Sequence, residues 1–385
     1  MTNWKYQEDV SSMFGLKGIP MAPALTFSDI TIKSKWSDIE HRKDITNLKA
    51  RLGKDFYINL PIVSANMSDV TEHLMAIALA KIGAIGFIHQ FTTVEDRVEE
   101  IKNVKSVIMD EASLKEFPNA LIDKQNRLCV AGTLRLSGDY LDEAKRFLEA
   151  GADVLVLDTA RAGSTLAYNA TLNIKKDFPN CILIVGNIDN PEHLEKLAEA
   201  GADCIKIGVG PGSRCKTRMV TGVGTPQIHA VISCYAVAKK LGVSIIADGG
   251  IRNSSDVAKA LGAGADAVML GSLLAGAEEA PSLLVKKIDE NGVEKLFKRY
   301  RGSASLDQQI DRIKNGNLDS AREPEGETSD VPHIGPADLF VEKLINGLRS
   351  SMSYVGAHDL NEFKDKVEFL WVNNSGFEEG KPRMS

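Results

Sequence analysis

No stretch of this chain approaches the roughly 20 apolar residues that cross a bilayer. The opening residues, MTNWKYQEDVSSMF, contain no apolar core of a secretory leader. Both lacks point to a cytoplasmic protein without a membrane partner. Basic excess is missing too. The chain carries 46 Lys and Arg against 52 Asp and Glu, a net charge of -6, which argues against nucleic acid as the main partner. A local pocket for one phosphate remains compatible with that balance. The five cysteines (Cys129, Cys181, Cys204, Cys215 and Cys234) are odd in number, widely spaced and free of C-x-x-C, so neither a disulfide framework nor a zinc site is indicated. Seven histidines without H-E-x-x-H spacing leave a transition-metal site unsupported. No strand leads into G-x-G-x-x-G, because GVGPG at 208–212 has the wrong spacing for that dinucleotide turn.

What is present is enough apolar material for one large core: 385 residues, 43% hydrophobic and 25% charged. A phrase recurs as AGADVLVLD at 150–158, AGADCIKIG at 200–208 and AGADAVMLG at 263–271. Each copy ends a helix-like segment, turns on Gly-Ala-Asp and enters an apolar run without alternation, as a parallel strand buried on both faces does. The runs of this kind are PIVSAN (61–66), AIGFIH (84–89), LCVAGT (128–133), DVLVLD (153–158), ILIVGN (182–187), CIKIG (204–208), SIIADGG (244–250) and AVMLGS (267–272). Amphipathic stretches such as 138–149 and 191–199 supply crossover helices. Eight strands alternating with helices predict a closed (β/α)8 TIM barrel in a single α/β domain. The charge run EDRVEEIKNVK at 95–105 reads as a solvated helix face.

Active sites of this fold form at the carboxyl ends of the strands, with phosphate commonly held after strands 7 and 8. Those ends read ADGGI (247–251) and GSLLAG (271–276), where glycines let backbone N–H groups approach phosphate oxygens and Ser272 adds a hydroxyl. After strand 6 comes GVGPGSRCKTRMVTGVGTPQ, 208–227, with five glycines and two prolines in twenty residues. It places Cys215 and Thr217 among Arg214, Lys216 and Arg218, and neighbouring cations favour the thiolate form of a cysteine. The other four cysteines lie in apolar contexts that suit inert buried residues.

This loop and ADGGIRNSSDVAKALGAGADAVMLGSLLAG (247–276) resemble the catalytic loop and phosphate-binding half of the IMP dehydrogenase/GMP reductase family, and the likeness runs from ALTFSDI at 24–30 to about residue 380. The resemblance implies that Cys215 adds to C2 of a purine nucleoside monophosphate as a covalent thioimidate. Asp248 would hold the ribose hydroxyls. Ser213, Gly249, Gly250, Gly271 and Ser272 would surround the phosphate, with Gly302, Ser303, Arg322 and Gly326 also on the substrate. Asp158, Thr159 and Ala160, with Gln90, would face the nicotinamide cofactor, and Asn187 would lie near the substrate. Backbone carbonyls of Gly210, Gly212 and Cys215 would bind potassium, a hard-oxygen site. The resemblance further implies residues 1–60 as an extension packing on the barrel, 61–385 as the barrel with a mobile flap at about 301–335 and a C-terminal tail, and a homotetramer.

Within the family, four features resemble the reductase branch. No tandem regulatory domain fits in the roughly twenty residues between strands 1 and 2. The segment 299–332 has no Arg-Tyr pair downstream of its YRG motif, the pair that activates water in dehydrogenases. REPEGET at 322–328 resembles the reductase Glu-Gly-x-Thr and makes Glu325 the proton-handling partner of Thr217. SSMSYVGA at 350–357 and GSAS at 302–305 also match reductases better. In the other direction, GSLLAG and the tail SGFEEGKP are dehydrogenase-like, Gln90 stands where the family has a basic residue, and Lys216 replaces a threonine. The expectation is conversion of GMP and NADPH to IMP, ammonia and NADP. The alternatives are oxidation of IMP by NAD and a nucleotide-binding barrel without catalysis.

Overall fold

In the computed structural model, residues 24–314 and 323–381 are described. Eight parallel strands form one sheet: β1 (Ile62–Ser64), β2 (Phe87–Ile88), β3 (Ala131–Arg135), β4 (Val154–Asp158), β5 (Ile182–Ile188), β6 (Cys204–Ile207), β7 (Ser244–Asp248) and β8 (Ala267–Leu270). Each lies inside one of the eight apolar runs, give or take a residue or two at its end. Hydrogen bonding passes from β2 in chain order to β8 and on to β1. The ring closes where Ile85, just before β2, bridges Val63 in β1, with the Ser64 N–H donating to the Ile85 carbonyl at 3.1 Å.

Both faces of these strands are covered, which is why their sequences do not alternate. Leu155, Val156 and Leu157 are wholly buried. Each such side chain contributes roughly 1.5–3 kcal/mol relative to exposure. The crossover helices include Tyr140–Glu149, capped by Asp139, and Pro191–Glu199, capped by Asn190 with Pro at its first turn.

The recurring Ala-Gly-Ala-Asp phrase has a physical reason. Gly151, Gly201 and Gly264 all take positive φ, at 98°, 99° and 117°, a conformation that side chains resist. The aspartate that follows then reaches across to the neighbouring strand. Asp153 accepts the Val130 N–H at 2.8 Å, Asp203 the Leu183 N–H at 2.9 Å and Asp266 the Ile245 N–H at 2.7 Å. A lysine meets each one: Lys105 for Asp153, Lys175 for Asp203 and Lys364 for Asp266.

The charge run at 95–105 presents Glu95, Asp96, Glu99 and Lys102 to solvent as expected, but two of its cations depart from that reading. Its helix, Val94–Lys105, buries Arg97, Ile101, Val104 and Lys105 on one face. Arg97 is fully buried against Glu143 at 2.8 Å, and Lys105 lies 2.9 Å from Asp123 and 3.0 Å from Asp153. These charges pair inside the molecule instead of facing solvent.

Outside the barrel, Ile30–Ile32 pairs antiparallel with Phe369–Trp371. After β8 an antiparallel sheet is built from Leu284–Ile288, Glu294–Arg301 and Thr328–Pro332. The helix Leu306–Lys314 lies between the last two of these strands in sequence. It docks on the loop after β1, where Ser68 donates to Gln308 at 2.6 Å and Arg301 bridges Asp69 at 2.7 Å and Asp311 at 2.6 Å. Among the described residues no helix is long and apolar enough to cross a membrane.

Candidate active site

The carboxyl ends of β4, β6 and β7 meet at one buried cation. Lys206, 1% exposed, lies 2.7 Å from Asp158 and 2.8 Å from Asp248. Burial opposes the charge of this ammonium, but the two carboxylates override it and push the lysine pKa above its ordinary value. Asn187 at the end of β5 donates to Asp248 and to the Gly208 carbonyl, each at 2.8 Å. Its own Oδ1 is buried without a partner among the described residues, an acceptor left for something else to satisfy. Asp158 does not cap the next helix; besides Lys206 it takes Gln90, whose Nε2 donates to its carboxylate at 3.2 Å.

The glycine-rich loop after β6 is folded down against β7. A side chain on Gly208 would place Cβ 2.0 Å from the Asp248 carbonyl, so only glycine lets the chain turn there. The loop presents Cys215 exposed, while the other four cysteines are buried. Cys215 Sγ donates to Thr217 Oγ1 at 3.1 Å, and the Thr217 hydroxyl donates to Glu325 Oε2 at 2.6 Å. Glu325 is brought there by backbone pairing. The Lys216 N–H donates to the Glu325 carbonyl at 2.6 Å, and the Glu327 N–H donates to the Arg214 carbonyl at 3.0 Å. Gly326 lies between, in bridge contact with both Cys215 and Ser305, and a Cβ there would stand 2.9 Å from the Ser305 nitrogen.

The cations flanking Cys215 do not surround its sulfur as sequence adjacency suggests. Lys216 extends to Glu327 at 2.6 Å, and this contact holds the Glu327 carboxyl below its usual range. The Arg214 guanidinium lies against the Tyr300 ring, 5.9 Å from its centroid. Residues adjacent in a turn point in different directions, and the hydrogen-bond partner of Sγ is the Thr217 hydroxyl.

Of the expected phosphate residues, Gly271 lies beside Tyr300, while Gly249 and Gly250 pack against the turn at Pro211. Gly249 has φ 94°, and a Cβ there would lie 3.1 Å from the Gly212 nitrogen. Gly250 follows with φ 81°. Gly271 opens a turn that carries Ser272, with the Leu274 N–H returning to the Gly271 carbonyl at 3.0 Å. The position of a Cβ on Gly271 is 2.9 Å from the Tyr300 hydroxyl, which donates to Met67 Sδ at 3.3 Å. Burial raises the Tyr300 pKa, so this hydroxyl keeps its proton. Gly302 packs on Arg214, while Ser303 is exposed beside it. Arg322 lies outside the described residues. Lys206 and Tyr300 were absent from the residues expected at the site. A lysine inside the apolar run CIKIG was the available signal for the first; a buried tyrosine in YRG carried none.

On the expected cofactor side, Thr159 is held to β5 by both backbone groups: its N–H donates to Gly186 and its carbonyl accepts from Asn187, each at 2.8 Å. Ala160 beyond it is exposed. This fixed shelf, with Asp158, Gln90 and the unpartnered Asn187 oxygen, fits a polar planar ligand. At the expected potassium position the donors are neutral carbonyls. That of Gly212 accepts the Cys215 N–H at 3.0 Å and retains a second lone pair, a donor set suited to a hard monovalent cation.

A family model described as the IMP dehydrogenase / GMP reductase domain matches residues 24–383. An inosine-5'-monophosphate dehydrogenase of Cryptosporidium parvum is 37% identical over 386 residues, covering 92% of this chain and 94% of its own. One from Nitrosopumilus maritimus is 33% identical over 470 residues, covering 93% and 98%. The crystal structure of a GMP reductase from Trypanosoma brucei, with one cysteine replaced by alanine and in complex with guanosine 5'-monophosphate, superposes with a TM-score of 0.87 at 28% identity, covering 95% of this chain and 98% of that one. With a closed eight-stranded barrel, an exposed loop cysteine and a match over nearly its whole length, this chain belongs to the IMP dehydrogenase/GMP reductase family, oxidoreductases of purine nucleotides that use nicotinamide cofactors.

Proposed function

We propose that the chain is a GMP reductase, converting GMP, NADPH and two protons to IMP, ammonium and NADP. The observation that carries this reading is the relay from Cys215 through Thr217 to Glu325, at 3.1 and 2.6 Å. The Cys215 sulfur attacks C2 of the purine, and its proton passes through Thr217 to Glu325. Glu325 then returns a proton through Thr217 to the exocyclic nitrogen, which departs as ammonia and leaves the thioimidate. A carboxylate in this place needs no activated water, because nothing in the reductase reaction is hydrolysed. When bound, the reduced nicotinamide supplies hydride to C2, after which the C–S bond breaks and IMP is released.

In this reading Asp248 holds the ribose hydroxyls. Ser213, Gly249, Gly250, Gly271, Ser272 and Tyr300 hold the phosphate, and Gly302, Ser303, Arg322 and Gly326 complete the nucleotide site. Asp158, Thr159, Ala160 and Gln90 hold the cofactor. The carbonyls of Gly210, Gly212 and Cys215 would hold potassium, whose charge would stiffen the loop that presents the thiol. The assembly is a homotetramer.

A second reading, oxidation of IMP by NAD, is favoured by the names of the curated relatives at 33% and 37% identity. Absorbance at 340 nm separates the two. With potassium present, GMP plus NADPH gives a falling signal for the reductase, and IMP plus NAD a rising one for the dehydrogenase. A rise with IMP and no fall with GMP overturns the proposal.

A further inference from the structure

Arg214 stands between the phosphate-side residues and the nucleophile, and it has no role in the reaction just described. Its guanidinium carbon lies 5.9 Å from the Tyr300 ring centroid, and its Nε is buried without a hydrogen-bond partner among the described residues. A buried donor left without an acceptor is costly and is retained where a ligand or an ordered water satisfies it. The same Tyr300 sets its hydroxyl beside the Gly271 turn, donating to Met67 Sδ at 3.3 Å. One aromatic ring therefore has a neutral hydroxyl at its rim and a permanent cation on its face. Glu327 feels the Arg214 charge but is itself paired with Lys216 at 2.6 Å, so it is shared between two cations.

We propose that Arg214 is a specificity-determining residue of the nucleotide site. Its charge makes a cradle of otherwise neutral donors select a phosphomonoester dianion over the uncharged nucleoside. Asp158 and Asp248, at the other end of the site, are already matched by Lys206, so they do not draw on the Arg214 charge. The inference rests on reading this cleft as a nucleotide site, but not on the direction of the purine chemistry.

Arg214→Met tests it, because methionine keeps an apolar stem on Tyr300 and removes both the charge and the unpartnered Nε. The variant should melt no lower than the parent chain. Calorimetric titration without cofactor, using GMP, IMP and guanosine, should show both nucleotides weakened at least about tenfold, a change that one desolvated charge pair supports. Guanosine should stay within about threefold. Arg214→Gln gives the same comparison if the methionine variant does not fold. Nucleotide affinity within about threefold of the parent overturns the inference, as does equal weakening of guanosine or failure of the parent chain to bind either nucleotide. Selective nucleotide weakening in a chain that consumes no NADPH with GMP upholds this inference while removing the reductase reading.

Discussion

The two ends of the barrel use the same residue types for opposite purposes. At the amino ends of the strands, Asp153, Asp203 and Asp266 each pair with a different lysine and accept a backbone N–H from the neighbouring strand. At the carboxyl ends, Asp158 and Asp248 share one lysine, and each keeps about a fifth of its side chain exposed. The lower carboxylates accept a backbone N–H and so lock each strand to its neighbour. The upper ones, among the described residues, take only side-chain donors, Lys206 together with Gln90 or Asn187. β4 carries one of each kind, Asp153 before its first residue and Asp158 as its last. Position along the strand, not residue type, separates structure from chemistry.

The largest test of this contrast lies at the upper end. Cys215→Ser should lower turnover at least about 1,000-fold while nucleotide binding persists, since a nucleophile is lost and the cradle is not. Single-turnover kinetics beside calorimetry measures both, and residual turnover within about tenfold of the parent chain would remove Cys215 from the chemistry. Glu325→Gln should cost about 100- to 10,000-fold in kcat with a much smaller change in KM, the range for a general acid–base. Equal loss in both parameters would make Glu325 a binding group instead.

Lys206→Met should cost roughly 3–5 kcal/mol in chemical unfolding, because two carboxylates then face each other in a buried site without their cation. Protonation relieves that repulsion, so the deficit should shrink as the pH falls toward about 4, the ordinary carboxylate range. A deficit independent of pH would mean that packing around the lysine stem matters more than its charge.

Lys175→Met breaks the corresponding pair below and should cost about 2 kcal/mol or more of stability, while kcat stays unchanged. A fall in kcat at saturating substrate would mean the lower cluster reaches the chemistry after all. The smallest effect belongs to the exposed pair Lys216–Glu327. Lys216→Glu alone should lower kcat about two- to fivefold, the small effect expected of one solvent-screened ion pair. Adding Glu327→Lys should restore most of it. Failure of the double variant to recover would show that the pair does not hold Glu325 in place.

The barrel was legible because buried parallel strands write themselves as unbroken apolar runs, and all eight appear where those runs lie. The Ala-Gly-Ala-Asp phrase was legible as a turn, but its second use was not, since the partners of its aspartates come from distant helices such as the one holding Lys175. Lys206 was hidden for a similar reason. Its neighbours in sequence are apolar, and only closure of the ring brings β4 and β7 to its sides. The loop cysteine stood out by composition. Its cationic surroundings did not survive folding, because Arg214 and Lys216 found Tyr300 and Glu327. The pairing of Ile30–Ile32 with Phe369–Trp371 left no local trace, as a strand pair between remote segments rarely does.

The pairing of the cysteine loop with residues 325–327 also sets how this enzyme tolerates change in its sequence. Two backbone hydrogen bonds fix the alignment, so Glu325 meets Thr217 and Glu327 meets Lys216. Sliding the segment by one residue would bring Pro324 or Gly326 to Thr217, and neither side chain accepts a proton. A single inserted or deleted residue between the two backbone hydrogen bonds would therefore take the carboxylate away from Thr217, whereas an exchange that keeps the length leaves the alignment intact.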